Sequence, residues 1–196
     1  NNDDGIVLSR SSNNTVTGNT CNNNDDGIYL SSSSDNTVTG NTCNNNSYLG
    51  ISLYSSSNNN TVTGNTCNNN DYYGINLTSS SNNTITGNIC NNNNSNGIYL
   101  YNSNNNTITG NTCNNNDDGI VLSRSSNNTV TGNTCIRGTG TLNDYTTDQY
   151  TILLSGTGNN YNLISSNNCM GKAVVIEGGT GNSAWGNKFD DTDDLP

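Results

Sequence analysis

Asn13-Asn-Thr-Val-Thr-Gly-Asn-Thr-Cys21, followed after a polar turn by Gly27-Ile-Tyr-Leu30, decides the fold because the chain repeats this unit six times. The Gly-Ile pairs begin at Gly5, Gly27, Gly50, Gly74, Gly97 and Gly119, in steps of 22, 23, 24, 23 and 22 residues. The glycines of Thr-Gly-Asn fall at Gly18, Gly40, Gly64, Gly87, Gly110 and Gly132. Residues 1–21 are identical to residues 115–135, so the coils are nearly interchangeable. A period of this length is too short for two-helix repeats and leaves a leucine-rich repeat or a β-solenoid. The leucine-rich pattern is missing, and the density of Thr, Val, Ile and Asn opposes helix. The expected fold is all-β: a right-handed parallel β-helix (β-solenoid) with three short strands in each coil of 22–24 residues.

Within one coil, side chains on a strand alternate between faces. Val16 therefore points inward between outward Thr15 and Thr17, Cys21 points inward, and Ile28 and Leu30 point inward around Tyr29. Four buried apolar side chains cannot offset the backbone entropy of a whole coil, so stability must come from stacking. The Asn-rich corners, such as Asn22 to Asn24 and Asn114 to Asn116, suit amide ladders between rungs. Four segments follow: regular coils over 1–135, an inserted loop over 136–149, degenerate terminal coils with a cap over 150–189, and an acidic tail over 190–196. Trp185 and Phe189 suit that cap.

Only 28% of the 196 residues are hydrophobic, a composition close to that of disordered chains, but the regular apolar spacing argues for order. The net charge is −10, and the five basic residues, Arg10, Arg124, Arg137, Lys172 and Lys188, are scattered. Nothing in that pattern could neutralise a run of phosphates, so nucleic acid is not an expected partner. No run of 18 or more apolar residues occurs, and no membrane insertion is expected.

The run Asn13–Thr20, with Asp25-Asp-Gly-Ile-Tyr-Leu-Ser-Ser-Ser-Ser34, closely resembles repeats of the NosD-like family of right-handed β-helices. The resemblance is close over 1–135 and loose over 150–187. It implies a group of carbohydrate-binding proteins and sugar hydrolases whose repeats are common in surface proteins of methanogenic archaea. Some members are linked to copper. With no His and one Met, Met170, this sequence carries no copper site of the usual kind.

Several constellations are candidates for chemistry. Asp3, Asp4, Asp25 and Asp26 should stack on adjacent coils and could hold calcium; otherwise no cofactor is expected. Tyr29, Tyr99 and Tyr101 stand outward on the strand before the Ser/Asn tract and suit a sugar-binding face. Thr15/Thr17, Thr37/Thr39, Thr61/Thr63, Thr84/Thr86, Thr107/Thr109 and Thr129/Thr131 form two outward columns of the kind that an ice-binding grid requires. Asn13, Asn45, Asn59, Asn76, Asn82, Asn93, Asn105 and Asn127 head Asn-x-Ser/Thr sequons open to glycosylation. The seven cysteines lack metal-ligand spacing and suit a packed inner column.

No catalytic residues stand out, because the basic residues that a lyase or epimerase needs beside its acids do not gather on one edge. The expected function is a non-catalytic module, extracellular or on the cell surface, that forms filaments or binds surface carbohydrate. Its expected partners are copies of itself stacked head to tail, or further coils of a longer parent chain. Two other readings stand beside it: an ice-binding protein using the Thr-x-Thr face, and a polysaccharide lyase or epimerase.

Overall fold

The computed structural model describes residues 2–136 and 149–188. It is a parallel β-solenoid, with no helix among the described residues. Strands alternate along the chain between two eight-stranded parallel sheets. The first sheet stacks β1 (Asp4–Ser9), β3 (Asp26–Ser31), β5 (Leu49–Tyr54), β7 (Ile75–Thr78), β9 (Asn96–Tyr101), β11 (Asp118–Ser123), β13 (Ile152–Ser155) and β15 (Val175–Ile176). The second stacks β2 (Thr15–Thr17), β4 (Thr37–Thr39), β6 (Thr61–Thr63), β8 (Thr84–Thr86), β10 (Thr107–Thr109), β12 (Thr129–Thr131), β14 (Leu163–Ser165) and β16 (Ser183–Trp185). The third strand of each coil is reduced to a single parallel bridge per rung, running Thr20, Thr42, Thr66, Ile89, Thr112, Thr134, Asn168 and Lys188.

The core follows the alternation read from the repeat. Val38, Cys43, Ile51 and Leu53 are fully buried, and so are their counterparts through Ile164 and Cys169. All seven cysteines are buried free thiols. Burial holds Cys90 and Cys135 well above the ordinary thiol pKa, which keeps them protonated and unreactive. The degenerate coils keep the register, with Ile152 on Ile120 and Ala184 on Ile164. Residues 137–148 of the expected inserted loop, and Phe189 with the acidic tail, lie outside the described residues. Trp185 is 60% exposed and continues the outward column of Thr131 and Ser165, so its ring does not close the core.

Buried asparagines tie the rungs together. One column runs Asn14, Asn36, Asn60, Asn83, Asn106, Asn128, Asn162 and Asn182. A second runs Asn19, Asn41, Asn65, Asn88, Asn111, Asn133, Asn167 and Asn187. Asn65 illustrates the bonding. Its amide donates to the Val38 carbonyl (3.0 Å) on the coil before and to Asn88 Oδ1 (3.0 Å) on the coil after. Its own Oδ1 accepts from the Asn41 backbone N–H (2.9 Å) and amide (3.0 Å). The expected corner ladders are present as well. Asn24, Asn46, Asn70, Asn93 and Asn116 bond in the same direction, while Asn22, Asn44, Asn68, Asn91 and Asn114 accept from backbone N–H groups in the opposite one.

Asn65→Ala would leave the buried Asn41 backbone N–H without its partner, at about 1–3 kcal/mol for such a group, and would take one bond each from the Asn41 amide and the Val38 carbonyl. The variant should lose roughly 2 kcal/mol or more of stability by chemical denaturation. The glycines supply a second test. A Cβ on Gly74 would lie 2.7 Å from the Gly97 carbonyl oxygen and 2.8 Å from Cys90 Cβ, whereas Gly87, at φ +63°, has nothing within 4 Å. Gly74→Ala should cost roughly 2–3 kcal/mol by overpacking, and Gly87→Ala about 1 kcal/mol of backbone strain. Equal losses in thermal melts would refute the packing argument.

Candidate functional site

The outer face of the first sheet carries a cleft of about 500 Å³. It arises from side-chain size at one position of the repeat. The outward residue of Gly-Ile-x-Leu is Tyr29, then Ser52, then Asn76, then Tyr99 on successive rungs. The two small residues make the floor, joined by Asn76 Nδ2 donating to Ser52 Oγ at 3.4 Å, and the rings at either end make the walls. Tyr54, Thr78 and Tyr101 line one side, two residues further along the strands. Asp26, Tyr48, Leu49 and Tyr73 line the other. Tyr29 stacks with Tyr54 at 6.3 Å between centroids, and Tyr73 with Tyr99 at 4.8 Å.

Asp26 is the carboxyl group of this cleft. Burial pushes its carboxyl up to about 7, helped by the charge of Asp4 and opposed by the Leu49 N–H, which donates to Asp26 Oδ1 at 3.1 Å. Asp4, its neighbour on the preceding rung, is raised as well, chiefly by burial. Burial also pushes the Tyr73 phenol up to about 12. Tyr99 is raised for the same reason, while a bond with Ser123 and the charge of Arg124 pull it back.

At the opposite end, Arg124 Nη1 donates to the Tyr101 hydroxyl at 3.0 Å, and the guanidinium lies 5.7 Å from the Tyr101 ring centroid. Folding therefore brings a cation to the rim of a cleft that holds a carboxyl group, although the two are 98 residues apart in sequence. Sequence reading missed this pairing because Arg124 occupies a corner position, at φ 50°, that is filled by Asn102 and Gly156 in the neighbouring coils. The signal that could have revealed the cleft was Ser52 and Asn76 in a column otherwise filled by Tyr, Val or Leu.

The other expected sites are placed as follows. Tyr29, Tyr99 and Tyr101 all line the cleft. The twelve threonines from Thr15 to Thr131 form two in-register columns over six rungs, which continue as Leu163/Ser165 and Ser183/Trp185. Asp3, Asp4, Asp25 and Asp26 do occupy adjacent rungs, close enough for the charge of Asp4 to raise Asp26. Asp26 is buried against Leu49, while exposed Asp25 accepts from Ser47 Oγ at 2.6 Å. Among the described residues no three carboxyl, thiol or imidazole groups gather as a metal site. Asn76 and Asn93 are corrected as glycosylation positions. Asn76 is buried in the floor of the cleft, its amide donating to Ser52, and Asn93 is buried in an amide ladder, so neither amide nitrogen stands free in solvent. Asn13, Asn45, Asn59, Asn82, Asn105 and Asn127 are exposed.

A parallel β-solenoid with an aromatic cleft on its outer sheet defines the class. Within it, residues 1–151 match the family described as periplasmic copper-binding protein (NosD), and the chain belongs to that family. Its residues do not fit copper. The sequence has no His and one Met, and its only soft ligands in number are seven cysteines sealed in the core in single file, one per rung.

Among curated proteins, none matches the sequence. A double mutant of the periplasmic alginate epimerase AlgG is similar in structure, with TM-score 0.73 and 22% identity over 96% of this chain and 48% of that one. The A-module of the Azotobacter vinelandii mannuronan C-5 epimerase AlgE4 has TM-score 0.70 and 18% identity, over 95% of this chain and 54% of that one. An alginate lyase from Paenibacillus has TM-score 0.64 and 12% identity, over 90% and 76%. The chain thus spans about half the length of the epimerases it resembles. The expectation of a non-catalytic module, and of no enzyme, is corrected by this set, because the solved structures named here are epimerases and a lyase. The family description and AlgG are both periplasmic, which agrees with a location in the envelope or outside the cell.

The Asp26 carboxyl predicts a pH dependence of stability. Its folded-state value lies above the ~3.9 of an unfolded aspartate, so between about pH 4 and 7 the folded chain binds more protons. Stability should therefore fall as pH rises through that window and level off above it. Asp26→Asn, which keeps an oxygen for the Leu49 N–H, should flatten much of the decline in melts taken across it. The part due to Asp4 should remain. An unchanged slope in the variant would refute the assignment.

Proposed function

We propose that this chain is a polysaccharide-processing enzyme of the epimerase or lyase type, working at the cell envelope or surface on an acidic polysaccharide laid along the outer face of the first sheet. The observation that carries the reading is Asp26, a carboxyl group near pKa 7 in the wall of a tyrosine-lined cleft. A group half protonated at neutral pH suits proton transfer in either direction, and perturbed carboxyls in clefts mark such sites. Both reaction types begin by removing the proton beside a sugar carboxylate, and Asp26 is the group suited to accept it. Tyr73 and Tyr99 are protonated at neutral pH like any phenol, and burial raises them further, so they serve as hydrogen-bond donors and as ring surfaces.

Arg124 supports a polymeric, acidic substrate. It lies four strands from Asp26, about 19 Å at the usual strand spacing of roughly 4.8 Å, and six residues further along the strand, about 20 Å at roughly 3.3 Å per residue. That separation is too great for both groups to act on one sugar, and suits a carboxylate held on another sugar of the same chain. The solved epimerases and lyase named above support the same substrate class.

The test is incubation with a panel of acidic polysaccharides. Lyase action is read as ultraviolet absorbance of unsaturated product, and epimerase action as deuterium entering from heavy water at the carbon beside the carboxylate. Asp26→Asn should lower turnover at least about 100-fold, the usual contribution of a positioned proton-transfer group. Wild-type protein that leaves the whole panel unchanged, or an Asn variant at full rate, would overturn the proposal.

A further inference from the structure

An exposed ring pair extends the cleft at its corner, with Tyr48 in the cleft wall and Tyr72 standing beyond it. Tyr48 and Tyr72, at the corner preceding β5 and β7, are 47% and 48% exposed and lie 4.7 Å apart between centroids, tilted by 58°. Tyr72 meets Tyr73 edge-on at 6.1 Å, and Tyr73 stacks on Tyr99 inside the cleft, so four rings run without a break from the corner to the cleft. The backbone holds the outer pair in place. Tyr48 N–H donates to the Asp25 carbonyl (3.0 Å), Tyr72 N–H to the Tyr48 carbonyl (3.0 Å), and Ser95 N–H to the Tyr72 carbonyl (3.1 Å). Ring pairs half open to water have no role in the core, and packing does not require tyrosine at these exposed corners. A ring in this state offers an apolar surface to the carbon-bound hydrogens of a pyranose.

The surroundings define which pyranose. Exposed Asp25 and Asp71 immediately precede or flank the rings in the same corner, held by Ser47 Oγ at 2.6 Å and Asn94 Nδ2 at 3.3 Å. Among the described residues the named cation of the site, Arg124, is at the far end of the cleft. Carboxylates accept hydrogen bonds from sugar hydroxyls and repel a sugar carboxylate, an effect that screening reduces but does not reverse. We infer that the Tyr48/Tyr72 corner is a second sugar subsite that takes a neutral pyranose, so the substrate is a heteropolysaccharide in which neutral and acidic sugars share one chain. This inference rests on the proposed function, whose cleft the corner extends.

Binding is measured by calorimetry at low salt, with a neutral β-1,4-glucan hexamer and a mannuronate hexamer as probes, on the whole chain. Wild type should bind the neutral hexamer. Tyr72→Ala should weaken that binding about tenfold, and Tyr72→Phe, which keeps the ring, should not. Asp71→Asn should narrow the preference for the neutral probe by admitting the acidic one at the corner. Failure of wild type to bind the neutral hexamer, or equal affinity in Tyr72→Ala, would overturn the inference. Circular dichroism of Tyr72→Ala checks that the coil is intact, and because the ring is exposed the variant should fold. The two readings fail separately. Turnover lost in Asp26→Asn with Tyr72-dependent binding retained supports both, whereas Tyr72-independent binding beside intact turnover removes only the neutral subsite. No turnover on any polymer, beside Tyr72-dependent binding, removes only the enzyme.

Discussion

A buried asparagine in a parallel solenoid has to find its partners on the rungs above and below, and the rest of this structure follows from that requirement. Each amide in the long columns bonds to the rungs on both sides, and its oxygen is the partner of a buried backbone N–H on the rung before, so a break at one position orphans that N–H. Unsatisfied buried polar groups are expensive, which makes the register between rungs strict. A strict register is what lets a core with only four apolar side chains per coil remain ordered. It also brings Gly74 within overpacking distance of Cys90 and the Gly97 carbonyl, so glycine and a small thiol face each other in every regular coil.

The same constraint frees the outer face of the first sheet. Side chains there make no ladder bonds that the fold depends on, so the outward residue of Gly-Ile-x-Leu is Val, Tyr, Ser or Asn from rung to rung. Strict stacking turns that freedom into shape. Two small residues between two tyrosines produce a cleft whose walls are fixed by the neighbouring rungs. Asp26 is a consequence of the same geometry. The strand buries it beside Asp4 on the preceding rung, and the one backbone donor it accepts from does not compensate for lost water.

The acidic balance of the chain can be reconciled with a sugar acid as substrate through the distribution of charge. With a net charge of −10, the molecule as a whole repels polyanions at low ionic strength, and salt shortens the range of that repulsion. Recognition then depends on local groups: Arg124 against Tyr101 at one end of the cleft, and the tyrosine corner flanked by Asp25 and Asp71 at the other.

The period, the inward column of Val, Cys, Ile and Leu, and the outward threonines were legible in the sequence, because strand alternation acts within a few residues and the repeat displays it six times. The NosD relationship was legible for the same reason, since Asn-Thr-Val-Thr-Gly-Asn is itself the structural unit. Other features depended on distances between rungs. The corner asparagines were expected as ladders and are, but the two longest ladders run through Asn36 and Asn41, which local pattern does not distinguish from exposed turn residues. Asn76 and Asn93 carry the same sequon as exposed Asn59, yet stacking buries them. Arg124 and Asp26 appear unrelated along the chain and share one cleft in the fold. By itself the sequence determined the coil and which way each strand residue faces, because those follow from bonding within a coil. Only the tertiary structure decided which residues meet, because that follows from stacking one coil on the next.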